Sequence, residues 1–291
     1  MDNSNPWIIM WREIRQDKAA LLGLAVFILI VGTVYIWALF VDTDIIMRVT
    51  RDMLVNRLRP PSLQYPLGTD GSGRSMLDML ILASRNSLNI AFIVAITGTI
   101  IGILIGLFSG FYGGHVDNII MRAMDFLGMI PLLMLVIFFV RILAPIDVVT
   151  FSLLLIFLLS WQGTARLIRT MALRQGALDY VNASKTMGTP SIIILFREVL
   201  PNMVSIIISN FTITLASFIG IETGLSFLGL GMPFNVPSLG ILLTNARVPF
   251  DMLNRMWLWL PAAILIIVMM LCINFVGQAL NRAADARKRR V

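Results

Sequence analysis

Six long apolar runs constrain this chain before anything else does. They cover roughly Ala20–Val41, Leu88–Phe108, Ala123–Val140, Val148–Gly163, Met203–Ile221 and Trp257–Val276. A helix needs about 20 apolar residues to cross the hydrocarbon core of a bilayer. Inside that core only a helix or a closed barrel satisfies its own backbone polar groups. Most of the runs are long enough. The third and fourth carry the weaker signal, because Asp125 and Arg141 bracket one and Gln162 and Arg166 close the other. The composition agrees, with 58% hydrophobic and 13% charged residues. A soluble domain is about half apolar and about a quarter charged, so the surplus apolar surface here must meet lipid. The expectation is an all-α, polytopic membrane protein of about six transmembrane helices. The first run outlasts a signal-peptide core of about 7–15 residues and no A-x-A site follows it, so it reads as a retained span. Cys272 is the single cysteine and lies in the last run, which leaves no intrachain disulfide.

The net charge of +7 does not point to nucleic acid once its distribution is read. Of 23 Lys and Arg, the stretch to residue 19 holds 3, the vicinity of Arg122 holds 1, segment 165–202 holds 5 and the tail from 279 holds 5. An even number of spans puts these segments on one side, and the positive-inside rule makes that side the cytoplasm. Both termini and the 165–202 loop are therefore expected inside. The tail run Arg287, Lys288, Arg289, Arg290 reads as a topology anchor, with anionic lipid as the other reading.

The connections are unequal. Those at about 42–87, 164–202 and 222–256 are long, and long ordered loops are a usual seat of function. The second run carries Gly98, Gly102, Gly106 and Gly110, with Ala83, Ser87, Ala91 and Ala95 ahead of them at the same spacing. Residues four apart share one helix face, so the glycines form a smooth stripe that another backbone can approach closely. That partner is another helix of this chain or a second chain. Pro131 interrupts the third run and Pro261 stands at the start of the sixth; both are expected to bend or loosen their helices.

Segment 165–202 reads as two short helices. Asp179 favours the start of the first by capping or by charge, and Gly188 suits the left-handed position that stops it. Thr189 is then expected to cap a second helix with Pro190 at its first position, and Leu200-Pro201 to end that helix before the fifth span. A helix–glycine–helix elbow of this kind suits a groove in a soluble partner, or is an ordinary interfacial hairpin.

This segment resembles the EAA loop of bacterial ABC importer permeases. Asn182-Ala183-Ser184 stands where the family has Glu-Ala-Ala, behind Tyr180-Val181, with Gly188 four residues on and Leu200-Pro201 further along. Pro66-Leu67-Gly68-Thr69-Asp70 with Gly73-Arg74 is similar to a signature of the dipeptide/oligopeptide/nickel permease group. So are Phe111-Tyr112-Gly113-Gly114 with Asp117 and Met121-Arg122, and Ser226-Phe227-Leu228-Gly229-Leu230-Gly231 with Glu222 before it and Pro237-Ser238 after it. The matches cover about residues 60–280 and look like the second, C-type permease of that group. Leu239 replaces a common Trp, and the tail after Gln278 departs from the usual ending.

The resemblance implies a first segment, 1–60, holding the first span, and a permease domain, 61–291, with five helices and the coupling loop 165–202. It implies a bacterial inner or plasma membrane location. It also implies a sister permease as heterodimer partner, two cytoplasmic ATPase subunits and an extracytoplasmic binding protein, and a peptide or a nickel chelate as solute. Coupling to the ATPases would fall on Asp179, Tyr180, Asn182, Ala183, Ser184, Lys185, Gly188, Thr189, Pro190, Leu200 and Pro201.

Other features bound the chemistry. There is no G-x-x-x-x-G-K-[ST] run to cradle phosphates, so ATP and its Mg²⁺ are expected on the partner subunits. His115 is the lone histidine, which argues against a metal centre or a catalytic triad. Asp125, Asn210 and Glu222 are the ionisable or polar residues expected within or near spans, where such groups face a cavity or the bundle interior. Each has a plainer reading: Asp125 paired with Arg122, Asn210 bonded to a neighbouring helix, Glu222 at the outer interface. A secondary transporter or channel would show coupling-ion residues deep in the spans and an inverted repeat. A membrane scaffold or sensor would need neither the elbow nor the signatures.

Overall fold

The computed structural model describes residues 14–48, 50–142, 147–233 and 235–288. Arg289 and Arg290 lie outside the described residues, as do the side chains of Arg287 and Lys288. The described chain is helical throughout, apart from turns and an isolated bridge between Thr69 and Ser75. Helix α1 spans Lys18–Ala38, α2 Thr43–Met47, α3 Arg51–Val55 and α4 Met76–Tyr112. They are followed by α5, Gly114–Met129, and α6, Leu132–Ile142. Next come α7, Val148–Leu155, a π-helical turn at Ile156–Ser160, and α8, Gln162–Gly176. The elbow holds α9, Asp179–Thr186, and α10, Ser191–Ile194, which passes through a second π-helical turn at Leu195–Val199 into α11, Leu200–Phe227. The last elements are α12, Leu239–Leu243, α13, Pro249–Asn254, and α14, Leu260–Lys288.

Four helical stretches are long and apolar enough to cross a bilayer: α1, α4, Ser191–Phe227 and α14. The pair α5–α6 is a fifth candidate, bent by 81° at Pro131. Ile130 ahead of the proline is extended (φ −82°, ψ 125°), as the crowding of a residue before proline requires. The helical path does not stop where the fourth apolar run does, near 163. It passes through the π-helical turn into α8, so the end of the apolar run does not coincide with a helix end. The chain is thus a multi-pass, all-α membrane protein, in keeping with about six spans.

Local signals set several starts. Asp17 accepts from the amide N–H groups of Ala19 and Ala20 at 2.9 and 3.2 Å. Ser75 accepts from Asp78 N at 3.4 Å, and the Asp78 charge favours the N-terminus of α4. Asp147 accepts from Thr150 N at 2.7 Å. Helix α4 stops at Gly113, whose φ of 61° and ψ of −154° are open essentially to glycine alone.

Three expectations about prolines are corrected. Leu200-Pro201 does not end a helix, because the chain stays helical from Ser191 to Phe227. Pro201 is the second residue after the π-helical turn Leu195–Val199. A wider turn there makes room for a ring that would press on the carbonyl of residue 197 and supplies no N–H. Pro190 is the residue before α10 rather than its first residue, and Thr189 makes no capping bond. Pro261 sits in the first turn of α14, where the missing N–H has no partner to lose, and it produces no break there.

The main core joins Leu88, Ala91 and Val94 of α4 to Phe151 and Leu155 of α7, Ile219 of α11 and Met269 of α14. A smaller cluster at one end of the bundle joins Leu107, Ile168 and Ala172 to Val181, Ile194, Leu195 and Val199. Helix α1 docks on α14, where a Cβ on Gly23 would come within 3.0 Å of the Cys272 carbonyl. Between lipid-facing helices this close backbone approach is the main source of association energy.

Candidate functional site

The elbow is built on the smaller apolar cluster. Val181 on α9 is fully buried against α4, α8 and the second π-helical turn. Ser184 donates to both carboxylate oxygens of Glu198, at 2.8 and 2.9 Å. Tyr180 OH donates to Gln175 Oε1 at 2.7 Å, and Asn202 Nδ2 donates to the Glu198 carbonyl at 2.9 Å. Lys185 Nζ stands 4.8 Å from the centre of the Phe111 ring, a cation–π contact of about 0.5–1 kcal/mol at an exposed site. Helix α9 is therefore tied to the ends of α4 and α8 and to the base of α11. Asp179 occupies the first turn of α9 without a side-chain capping bond, so it acts there through charge.

Gly188 ends α9 with φ of 82°. Its N–H bonds the Lys185 carbonyl at 3.0 Å, and Thr189 N–H bonds the Ser184 carbonyl at 3.1 Å. This pair of bonds is the Schellman arrangement, which satisfies carbonyls left over at a helix end. Asn182, Ala183, Lys185 and Pro190 face outward. So do Leu178, Ile192, Ile193, Phe196 and Met187, the last 76% exposed. The elbow thus presents an exposed apolar tip on a hydrogen-bonded base.

Behind the elbow lies the glycine stripe, which packs within this chain. A Cβ on Gly98 would fall 2.2 Å from Ser160 Oγ, and one on Gly102 2.7 Å from Thr164 Cβ. One on Gly106 would fall 2.6 Å from the Ala165 carbonyl oxygen, and one on Gly110 2.4 Å from that of Arg169. The register rises together on both sides, so α4 and α8 run parallel and end beside each other under the elbow. Arg169 adds a bidentate pair to Asp117, with both contacts at 2.5 Å, and Ser109 donates to the same carboxylate. This lock between α4, α5 and α8 had one sign in the sequence, the Asp117 that follows Phe111-Tyr112-Gly113-Gly114.

The three polar candidates are not gathered into one site. Asp125 pairs with Arg166 at 3.0 Å, not with Arg122 as the plainer reading had it. Asn210 Nδ2 donates to Thr164 Oγ1 at 3.0 Å, from α11 to α8. Glu222 is fully buried within the chain. Its Oε1 accepts from Ser226 Oγ at 2.8 Å. The hydroxyls of Ser87, Ser238 and Thr223 face the carboxyl group at longer range, and Oε2 has no close partner.

The two remaining signatures occupy the end of the bundle opposite the elbow. Asp70 accepts from Ser72 N and Arg74 N at 2.8 Å and pairs with Arg74 at 2.7 Å. Thr69 is buried and its carbonyl accepts from Trp257 Nε1 at 3.3 Å. Gly68 has φ of 73°, and a Cβ there would strike the Arg59 carbonyl at 2.7 Å. The first signature thus clamps the 57–75 loop onto the start of α14. The second wraps around Glu222 and hands its chain back to α4, where Asn86 Nδ2 donates to the Pro237 carbonyl at 2.8 Å.

Comparison with known proteins gives two family models. Residues 102–290 match the binding-protein-dependent transport system inner membrane component. Residues 5–61 match the N-terminal TM domain of oligopeptide transport permease C. The oligopeptide transport system permease protein OppC of Lactococcus lactis subsp. cremoris is 39% identical over 95% of this chain and 93% of its own length. The oligopeptide transport system permease protein AmiD of Streptococcus pneumoniae is 32% identical over 98% and 91%. The dipeptide transport system permease protein DppC of Bacillus subtilis is 29% identical over 96% and 85%. Among solved structures, a chain of the MetNI methionine ABC transporter in an inward-facing conformation has the same fold. It superposes with a TM-score of 0.56 at 18% identity, covering 72% of this chain and 97% of that one.

Proposed function

Because this chain belongs to the binding-protein-dependent transport system inner membrane components, we propose that it is one permease subunit of an ATP-driven importer of peptides. Relatives that match nearly the whole chain carry oligopeptide and dipeptide names, which favours a peptide over a nickel chelate. The observation that carries the mechanism is the elbow: an exposed apolar tip at Met187, held by a glycine stop and seated on the ends of α4, α8 and α11. In this reading the elbow lies in the cytoplasm with both termini, as the Lys and Arg distribution requires. It docks on an ATPase subunit. A sister permease completes the path, a second ATPase serves the sister, and a binding protein delivers peptide from outside. The chain contributes no catalysis; nucleotide chemistry belongs to the ATPases.

The geometry suits coupling. A push on α9 is not absorbed locally, because Ser184–Glu198 carries it to the base of α11 and Val181 carries it to α4 and α8. The glycine stripe leaves no slack between α4 and α8, so those helices move as a unit. The test is uptake in proteoliposomes holding this chain, its sister permease and both ATPases. Labelled tripeptide should accumulate only with ATP inside the coupled compartment and binding protein on the other side. Uptake of a nickel chelate in place of peptide would reassign the solute. Uptake driven by an ion gradient without ATP would end the importer reading.

A further inference from the structure

We propose that Arg85 and Asn89 of α4, beside α1, bind the phosphate of a membrane phospholipid, with an acyl chain along the apolar stripe of α4 that they head. The site lies at the lipid boundary of the bundle and is independent of the solute carried.

Arg85 is a half-buried charge without a counter-charge. Among the described residues neither a carboxylate nor a hydrogen-bond acceptor meets its guanidinium. Arg74 and Arg255, half-buried at the same end of the bundle, pair with Asp70 at 2.7 Å and Asp251 at 2.8 Å. Arg48, Arg51, Arg57 and Arg59 stand in the open. A charge withdrawn from water is costly unless something pairs with it, so the partner of Arg85 comes from outside the chain.

Its depth follows from two helices that are each long and apolar enough to cross a bilayer, α1 and α4. Tyr35 OH of α1 donates to Asn89 Oδ1 of α4 at 2.5 Å, which puts the two residues at one level. Tyr35 is three residues from the end of α1 at Ala38, and Asp42 follows soon after. Helix α1 runs antiparallel to α14, because Gly23 meets Cys272 and Ala20 clusters with Ala279 and Ala283. Its end therefore lies beside the start of α14. The start of α4 lies there too: Met76 N–H bonds the Gly68 carbonyl at 3.0 Å, in the loop that Trp257 clamps. Arg85 is thus one turn beyond Tyr35 towards that end, about 6 Å. This is the edge of the apolar layer, where Tyr and Trp gather and long basic side chains reach headgroups. Trp37 is exposed at the same end of α1.

The face of α4 that carries Arg85 and Asn89 continues through Ile93, Ile96 and Ile100, all exposed. Residues three and four apart share a helix face, and the glycines that pack on α8 lie on the other side of α4. An exposed row of isoleucines in a span suits acyl chains. A cation that heads such a row, at headgroup depth, matches a phospholipid: chain along the row, phosphate at its end. The guanidinium fits two phosphate oxygens at once. Asn89 accepts from Tyr35 through Oδ1, which leaves its amide N–H groups as further donors one turn from Arg85. A free phosphate would meet these donors and leave the isoleucines bare.

The test uses the complete transporter, purified in detergent and stripped of lipid. Dioctanoyl phosphatidylglycerol should bind it, read as bound mass in native mass spectrometry and as a raised unfolding temperature. Arg85→Gln should weaken that binding about ten-fold or more, as loss of a charged hydrogen-bonded contact does, and Arg85→Lys should weaken it less. Dioctanoylglycerol has the chains without the phosphate, and inorganic phosphate has the charge without the chains; each should bind about ten-fold more weakly than the lipid. A phosphatidylglycerol with a diazirine close to its headgroup should crosslink, in the wild type, to residues 33–40 of α1 or 85–96 of α4. That arm decides the matter even where Arg85→Gln fails to assemble. Equal lipid binding by wild type and Arg85→Gln would overturn the proposal, as would the absence of adducts from both segments. Inorganic phosphate that binds as tightly as the lipid would assign a soluble anion instead. Loss of the sister permease from Arg85→Gln, with no adduct in the wild type, would put a subunit rather than a lipid on the isoleucine row; either result also overturns the proposal.

Discussion

Glu222 and Gly188 show what single residues contribute. The serines around Glu222 each hold a backbone N–H: Ser226 Oγ accepts from Met232, Ser87 Oγ from Leu239 and Ser238 Oγ from Ile241, at 3.1–3.3 Å. Their hydroxyl protons remain for the carboxyl group, and the Ser226 proton takes that course. Glu222 thus orients the hydroxyls that hold segment 232–241 in place. Glu222→Gln sets an amide N–H₂ among groups that are already donors. It should destabilise that segment by about 1–3 kcal/mol, the usual loss when a buried polar group is left unpaired. Faster proteolytic cleavage between 228 and 243, with the spans still inserted, is the expected readout. At Gly188 the space beside the residue is open, so any penalty is backbone strain rather than collision. Gly188→Ala should cost about 1–2 kcal/mol and Gly188→Asn less, because Asn tolerates the left-handed region. ATPase affinity measured across the series wild type, Asn, Ala, Val should fall in that order. Gly188 and its role as a helix stop were legible in the sequence, because only a few residue types suit φ > 0. Glu198 was not, because its contact with Ser184 depends on how the elbow folds back, and spacing alone does not report that.

The glycine stripe is the clearest feature at the level of elements. Its four-residue period was readable, but its partner was not, since period identifies a face and says nothing about what lies opposite. The structure supplies Ser160, Thr164, Ala165 and Arg169. Gly102→Ala already puts a carbon within 2.7–2.9 Å of Thr164 and the Trp161 carbonyl, and overpacking of this kind costs about 1–3 kcal/mol. Gly102→Leu should abolish assembly, whereas Ile100→Leu on the exposed side of the same helix should leave it unchanged. Yield of monodisperse complex after detergent extraction measures both. The prolines show where residue type underdetermines an element. Pro131 breaks α5 from α6, yet Pro201 continues a helix and Pro261 begins one. The difference lies in what each ring meets: an extended residue before Pro131, a π-helical turn before Pro201, and an unpartnered first turn at Pro261. The fourth run differs from its helix for a similar reason. Apolar content falls near 163 while helical hydrogen bonding continues, because a helix that leaves the apolar layer has no need to stop.

For the whole molecule, the multi-pass helical architecture was legible because the apolar runs admit few alternatives. The proposed topology makes a direct prediction. Cysteines at Gln175 and Asp251 should label from opposite sides of a sealed membrane, Gln175 from the cytoplasm and Asp251 from outside; labelling of both from one side would remove the scheme. The proposed seating of this elbow in an ATPase subunit rests, in the sequence, on the motif in the elbow alone. Ala183 is exposed on the outer face of α9. Ala183→Trp should therefore leave the subunit folded and inserted while blocking close approach of a partner. The decisive measurement is the affinity of the purified ATPase for the permease pair in nanodiscs, wild type against Ala183→Trp. A loss of about 1–3 kcal/mol corresponds to roughly five- to a hundred-fold weaker binding, and the account predicts a loss in that range with transport lost alongside. Wild-type affinity and normal uptake in Ala183→Trp would contradict it.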